Sequence, residues 1–369
     1  MRINPKQPSR RLNFLGISLF IFLNSIYAKS QTVPIGFFEG LMGNSGLAIS
    51  DSSASSFYNP SLILNKRTSS YSFGGNTFAN FNSKANDDQM SSSKISPSYI
   101  SSIHIFESFA HEFFLTNTTS IEADTLKSSV TGALIRSNIR QQDYQLGYGF
   151  AFPGLPMGFQ TSVRYRDNQI STLSEFQDNL SAFTTQANAA NRQADFMVAI
   201  GGNHQFSNYR FGYKFSSRGL AIYKKNEGRE RKYSYTQISN QYIKSESDFS
   251  TDQESIGELI AIGHGFKIND HEFLTDTRFE ELVDLAHAYN WSQTFGYKLS
   301  SAAGYQYMCG ASHLINKDIK YFGQSMYVST GFSWQSRSSR SAVGMYYSVD
   351  KLKFDTQVYG LTFSSEFIY

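Results

Sequence analysis

Beyond residue 67, apolar and polar residues alternate with period two through most of the chain. In 144–152, Tyr144, Leu146, Tyr148, Phe150 and Phe152 fall on one face, and Gln145, Gly147, Gly149 and Ala151 on the other. That is the pattern of a strand, whose successive side chains point to opposite sides. Phe159, Thr161, Val163 and Tyr165 repeat it against Gln160, Ser162, Arg164 and Arg166. Tyr209, Phe211, Tyr213 and Phe215 oppose Arg210, Gly212, Lys214 and Ser216. The final run sets Tyr359, Leu361, Phe363, Phe367 and Tyr369 against Gly360, Thr362, Ser364 and Glu366. About fourteen such segments fit between residue 68 and the C-terminus, most of them as long as the roughly 9–11 residues that cross a bilayer at a tilt. Tight connections, as at Ser207 and Ser301, alternate with longer polar ones at 81–96, 123–138, 169–193 and 223–254. Short turns on one side and long loops on the other are the habit of a transmembrane barrel. An even strand number returns both ends to the same side. Residues 223–254 leave room for a further hairpin, and 174–190 for a short surface helix.

Lipid offers no partner to an open strand edge, so spanning strands must close into a ring. The expected fold is therefore all-β, a transmembrane antiparallel barrel of about fourteen strands. Composition agrees. Tyr (23) and Phe (32) far outnumber Trp (2), and they are spread through Ser-, Asn- and Gln-rich surroundings, as strands with one greasy and one wet face require. A net charge of +3 without a basic block gives no sign of nucleic-acid binding. The single Cys309 excludes an internal disulfide framework and a Cys-based zinc site. Arg2, Lys6, Arg10 and Arg11 precede an apolar stretch, Leu12 to Leu23, and a small residue at Ala28. This reads as a secretory signal peptide over 1–28. Residues 29–66 then form a separate N-terminal segment and 67–369 the barrel, in the bacterial outer membrane.

The N-terminal segment has no strand period. It carries Gly43, Asn44, Ser45 and Gly46, then Asp51, Ser52, Ser53 and Ala54, then Phe57, Tyr58, Asn59 and Pro60. Read from the residues, it is either a flexible leader or a compact plug inside the barrel. In order and spacing these three motifs resemble the start of the FadL family of outer-membrane transporters of hydrophobic compounds, with Ser61 where the family usually has Ala. The resemblance implies a hatch over 29–66 that fills the lumen. It implies that Phe37 and Phe38 fill an apolar pocket and that Asn59 and Pro60 fix the hatch to the wall, while Gly43 and Gly46 allow close packing. It further implies passive uptake of a fatty-acid-like hydrophobic or amphiphilic molecule. Related barrels with this leader act as secretion shuttles, so a non-transport barrel is the alternative. The terminal aromatic strand also resembles the signal read by the barrel-assembly machinery.

With aromatics outward, Arg164, Arg166, Arg210 and Lys214 face inward, since Arg or Lys at mid-bilayer on the lipid face costs about 2–4 kcal/mol. They suit either an anionic head group or an internal salt-bridge network with acidic neighbours. His104 and His111, and His264 and His271, recur at equal spacing, each pair ending in His-Glu-Phe. No second His follows the Glu on a helix, so two similar hairpins, not a zinc site, are expected. No nucleophile elbow appears, and no metal, cofactor or enzyme is expected. The expected partners are outer-membrane lipid, lipopolysaccharide at the charged stretch 223–254, and a hydrophobic small molecule. The chain is expected to act as a monomer.

Overall fold

The computed structural model describes residues 35–36, 38–50, 54–82, 92–127, 134–177, 181–236, 241–249, 256–280, 289–318, 321–350 and 356–369. The described residues form one antiparallel sheet. It runs β1 (Ser70–Asn82), β2 (Ser92–Ile105), β3 (Ala110–Lys127), β4 (Leu134–Ala151), β5 (Met157–Gln177), β6 (Ser181–Phe206), β7 (Tyr209–Ser216), β8 (Leu220–Thr236), β9 (Gln241–Phe249) and β10 (Leu259–Ile268). It continues with β11 (His271–Glu280), β12 (Tyr289–Ser300), β13 (Tyr305–Asp318), β14 (Tyr321–Gln335), β15 (Ser339–Asp350) and β16 (Thr356–Ile368). Fourteen of these strands close a barrel: β5 pairs with β6, β7 with β10, and β1 with β16. Ser70 meets Ile368 at that last seam, and the Tyr369 ring stacks on Tyr71 at 5.0 Å. The remaining two, β8 and β9, extend the sheet from β6.

Side-chain alternation sorts wall from lumen. In β14, Met326, Val328, Phe332 and Trp334 are exposed on the outside, while Tyr327, Ser329 and Ser333 are buried inside. The exterior band is apolar, as lipid demands. Tight turns follow β2, β4, β6, β10, β12 and β14 at one end, where the start of β1 and the end of β16 also lie. This is the short-turn end of the barrel.

The opposite end is taller on one side than the sequence suggests. Residues 174–190 make no helix. The β5–β6 ladder runs unbroken from Met157 and Gly202 to Gln177 and Ala182, so paired backbone hydrogen bonds override the helical bias of Gln and Ala. Phe176 and Phe183 stack across the tip at 5.2 Å. Much of the supposed loops 123–138, 169–193 and 223–254 is likewise strand. Along β6, residues 199–206 pair with β7 and residues 181–196 with β8, with a register shift at Ala194 and Asp195. Thus β7 and β8 run end to end along one long neighbour. In the β8–β9 hairpin, β9 is exposed on both faces and β8 is half-buried on one.

At the closing seam, the β1–β16 register skips Thr77 and Phe78. The Thr77 hydroxyl stands in for the ladder there. It accepts from the Leu361 amide at 3.0 Å and donates to the Leu361 carbonyl at 3.5 Å.

Candidate functional site

The lumen is filled from within. The described residues between 38 and 63 are almost all buried and include three short helical turns, a 3-10 turn over Glu39–Met42, a single α-turn over Ser55–Tyr58 and a second 3-10 turn over Pro60–Asn65, with an irregular stretch over 43–50. None of them joins the sheet. The segment brings an apolar surface of Phe38, Leu41, Met42 and Ile49, and the wall answers with Tyr99, Leu274 and Met308. The lumenal face at this depth is thus not the small or polar lining that strand alternation implies. An apolar insert has removed the water that would have required polarity.

Close approach is possible because the wall lacks Cβ atoms where the segment touches it. A Cβ on Gly212 would lie 2.0 Å from the Leu47 carbonyl oxygen, and one on Gly201 would lie 2.2 Å from Asn59 Oδ1. At Gly158 it would lie 2.4 Å from the Pro60 carbonyl carbon, and at Gly310 2.1 Å from that of Met42. At Gly344 it would meet Leu41 Cδ2 at 2.3 Å. These glycines lie on five different strands and contact the segment around the lumen. Gly43 ends the first turn at φ +69, and its own Cβ would strike the Ala311 backbone at 2.6 Å.

Polar anchors hold what the glycines admit. The Asp276 carboxylate accepts from the Gly46 and Leu47 amides at 2.7 and 3.1 Å, and Arg278 donates to the Asn44 carbonyl at 2.6 Å. Glu112 accepts from the Ser56 amide at 2.8 Å. Tyr327 donates to the Gly40 carbonyl at 2.7 Å. Asn59 donates to the Leu47 carbonyl at 2.8 Å and to the Gly202 carbonyl on β6 at 2.9 Å, while its Oδ1 accepts from the Ser61 amide at 3.1 Å. One side chain therefore caps the second turn, braces the first part of the segment and ties both to the wall. Pro60 occupies the first position of that turn, where its missing N–H costs nothing. Lys66 closes the segment with an ion pair to Glu366 at 2.6 Å. Burial, aided by the Glu39 carboxylate, raises Tyr58 well above the ordinary phenol range. It therefore stays protonated and donates to the Ile35 carbonyl at 2.6 Å.

Phe38 is buried, with Lys298 Nζ 5.7 Å from its ring centroid. Phe37 lies outside the described residues, as do 29–34. Gly46 packs against Glu39 and Tyr58 within the segment.

The four basic residues do not converge. Arg164 donates to Asp143 at 2.8 Å, and Arg166 pairs with Asp195 at 3.0 Å. Lys214 lies deeper, donating to the Phe57 carbonyl at 2.6 Å and to Gln160 at 2.8 Å. Arg210 faces a cavity of about 140 Å³ at the short-turn mouth of the lumen, shared with Lys267, Asp270, Glu272 and Lys298. So two charges are answered by wall carboxylates, one by the segment, and one stands at the mouth of the lumen.

Sequence reading passed over Glu112, Asn203 and Tyr327 as anchors. Glu112 was available as a signal: a carboxylate on the inward face of a lipid-flanked strand needs a lumenal partner. Asn203, whose amide donates to the Ala48 carbonyl at 2.6 Å, has no such local mark. On the outer wall, β10 to β16 form a groove of about 1230 Å³ that faces the bilayer, with Cys309, Ala311 and Val328 along its floor.

No family model matches the sequence, and no curated protein does. Solved structures do match in shape. The chain is similar to the CymD monoaromatic hydrocarbon channel at TM-score 0.65 and 11% identity, covering 91% of this chain and 97% of that one. It is similar to the P. putida toluene transporter TodX at TM-score 0.66 and 10% identity, covering 92% and 99%. A Pseudomonas aeruginosa FadL homologue gives TM-score 0.64 and 10% identity over 92% and 99%. At this identity the similarity establishes the architecture.

Proposed function

We propose that this chain, built on the fold of the FadL-type channels, is a bacterial outer-membrane channel for passive uptake of hydrophobic small molecules. Residues 1–28 act as its export signal and the N-terminal segment as its hatch. The observation that carries this reading is the way the lumen is closed. Among the described residues the segment is held by side-chain hydrogen bonds and contact and shares no strand ladder with the wall, so it can shift while the barrel stays folded. A shift uncovers Tyr99, Leu274 and Met308. Exposing them to water costs about 25 cal/mol per Å² of apolar surface, which an apolar ligand offsets and a polar solute does not. The discrimination favours hydrocarbons and acyl chains. An amphiphile with an anionic head group, such as a fatty acid, is the finer possibility, with Arg210 at the periplasmic mouth as the cation best placed to meet it on leaving. Uptake requires no catalysis.

The test is accumulation of radiolabelled toluene and of a labelled long-chain fatty acid by cells with and without the protein. Faster accumulation of either supports uptake, and the ratio reports ligand class. Accumulation of both ligands at the same rate with and without the protein would move the reading to a sealed barrel that serves secretion or surface interaction.

A further inference from the structure

We propose that the outward face of the tall side of the barrel docks the phosphorylated glycolipid of the outer leaflet, with Arg140, Arg192 and Arg229 holding its phosphates. The proposal rests on the outer-membrane placement above and is independent of transport.

Strand register lays the surface out in rows. Tyr144, Tyr165, Ala194 and Tyr223 are cross-strand neighbours on β4, β5, β6 and β8. The row beneath is apolar, with Leu146, Val163 and Phe196. Tyrosines above an apolar band mark the bilayer interface. The next row holds Gln142, Asp167, Arg192 and Lys225; above it come Arg140, Gln169, Ala190 and Glu227; then Ser171, Asn188, Arg229 and Asp248. Each row rises two residues along a tilted strand, roughly 5 Å in height. The three charged rows therefore span roughly 5–15 Å above the tyrosines, at the depth of headgroup phosphates and the first sugars.

These rows enclose a concavity of about 900 Å³. Its floor is made of small residues, Ser171, Ala190 and Gly228, and the three arginines stand around it. Guanidinium forks suit phosphate oxygens in bidentate fashion, and the Gln169 and Asn188 amides suit sugar hydroxyls. Arg140 makes no ion pair among the described residues. Arg192 reaches Asp167 only at 3.5 Å, and Arg229 divides itself between Glu246 at 3.1 Å and Asp248 at 3.4 Å. Their donors are thus only partly used. The surface faces sideways, directly over lipid, so its occupant is membrane-embedded. Leu146, Val163 and Phe196 lie below it for acyl chains, and Phe196 and Leu146 are well exposed.

The test uses the folded mature barrel in detergent, titrated with bisphosphorylated lipid A while its thermal midpoint is followed. Dephosphorylated lipid A and phosphatidylglycerol are run in parallel. Bisphosphorylated lipid A should raise the midpoint at the lowest concentration. The variant R140Q/R192Q/R229Q should need roughly tenfold more of it, in line with loss of charge-assisted contacts, whereas Arg337→Gln, exposed at the opposite end, should behave as wild type. Equal response of the wild type to all three lipids, or an unchanged titration in a triple variant that still migrates as a folded barrel, would overturn the proposal. Neither result bears on the uptake assay, and a failed uptake assay leaves this titration intact.

Discussion

Gly310→Val isolates the closure of the lumen from the stability of the barrel. A Cβ at this position would sit 2.1 Å from the Met42 carbonyl carbon and 2.2 Å from the Gly43 nitrogen. Carbon–carbon contact is comfortable from roughly 3.5 Å, so the main chain at Met42 must retreat by more than an ångström. Overpacking of this kind costs about 1–3 kcal/mol. Releasing the first turn instead exposes Phe38, Leu41 and Met42, all about 2% exposed in place. That forfeits about 1.5–3 kcal/mol for each side chain, or about 5–9 in all. Against it stands the backbone freedom that four residues regain, about 4–8 kcal/mol. The turn is therefore held by a margin of only a few kcal/mol. Gly310→Ala should strain it without expelling it, and the two further methyls of Val should tip the balance. The β12–β13–β14 ladders do not depend on the side chain at 310, so the barrel should keep its melting temperature. The assay is swelling of proteoliposomes in a small sugar, with amide exchange at Leu41 and Met42 alongside. Faster swelling and exchange are expected for Val, with Ala intermediate. A Val variant with wild-type swelling and exchange would refute the reasoning.

Asp276→Ala should leave the Gly46 and Leu47 amides without their carboxylate acceptor, at about 1–3 kcal/mol for each stranded donor; amide exchange at 46 and 47 should accelerate while exchange in β11 holds. Thr77→Val removes the hydroxyl that bridges the ladder gap at the β1–β16 seam, and the Leu361 amide should exchange faster by a factor consistent with about 1–3 kcal/mol of lost local protection. In the outer hairpin, the hydrogen bond from Arg231 holds the Glu246 carboxyl below the usual glutamate range. A depressed carboxyl stabilises fully above its unfolded pKa and ceases to do so as pH falls through its folded one. The Glu246 carbon resonance should therefore titrate below a free glutamate, and R231Q should move its midpoint upward; an unmoved midpoint would discount the pair.

The barrel was legible because lipid enforces a pattern that a short window of sequence can display. Phe159 to Tyr165 and Tyr359 to Tyr369 alternate since every second side chain meets hydrocarbon. Where β5 and β6 rise clear of the bilayer, that demand lapses. Ala187 and Ala189 face inward while Asn188 and Ala190 face outward, and no apolar period remains to read. The β8–β9 hairpin is wet on both faces, so Arg229, Glu230, Arg231 and Lys232 pair across strands and within their own strand in a stretch that looks like a charged loop. The lumen was hidden for another reason. Arg164 finds Asp143, and Arg166 finds Asp195, through the registers of β4, β5 and β6. That distance along the chain defeats any local motif. Asn59 and Pro60 stood out through the resemblance as a point of attachment to the wall, but the triple service of the Asn59 side chain emerges only once β6 is brought against it.

The contact between wall and lumenal segment is, at Gly158, Gly212 and Gly310, main chain laid on main chain. Such a seal specifies where side chains must be missing and is largely indifferent to which ones are present elsewhere. A lineage built on it can exchange most of its alphabet while the stopper still fits its bottle. A contour specified in this way is compatible with the 10–11% identity at which the chain matches solved barrels of the same fold.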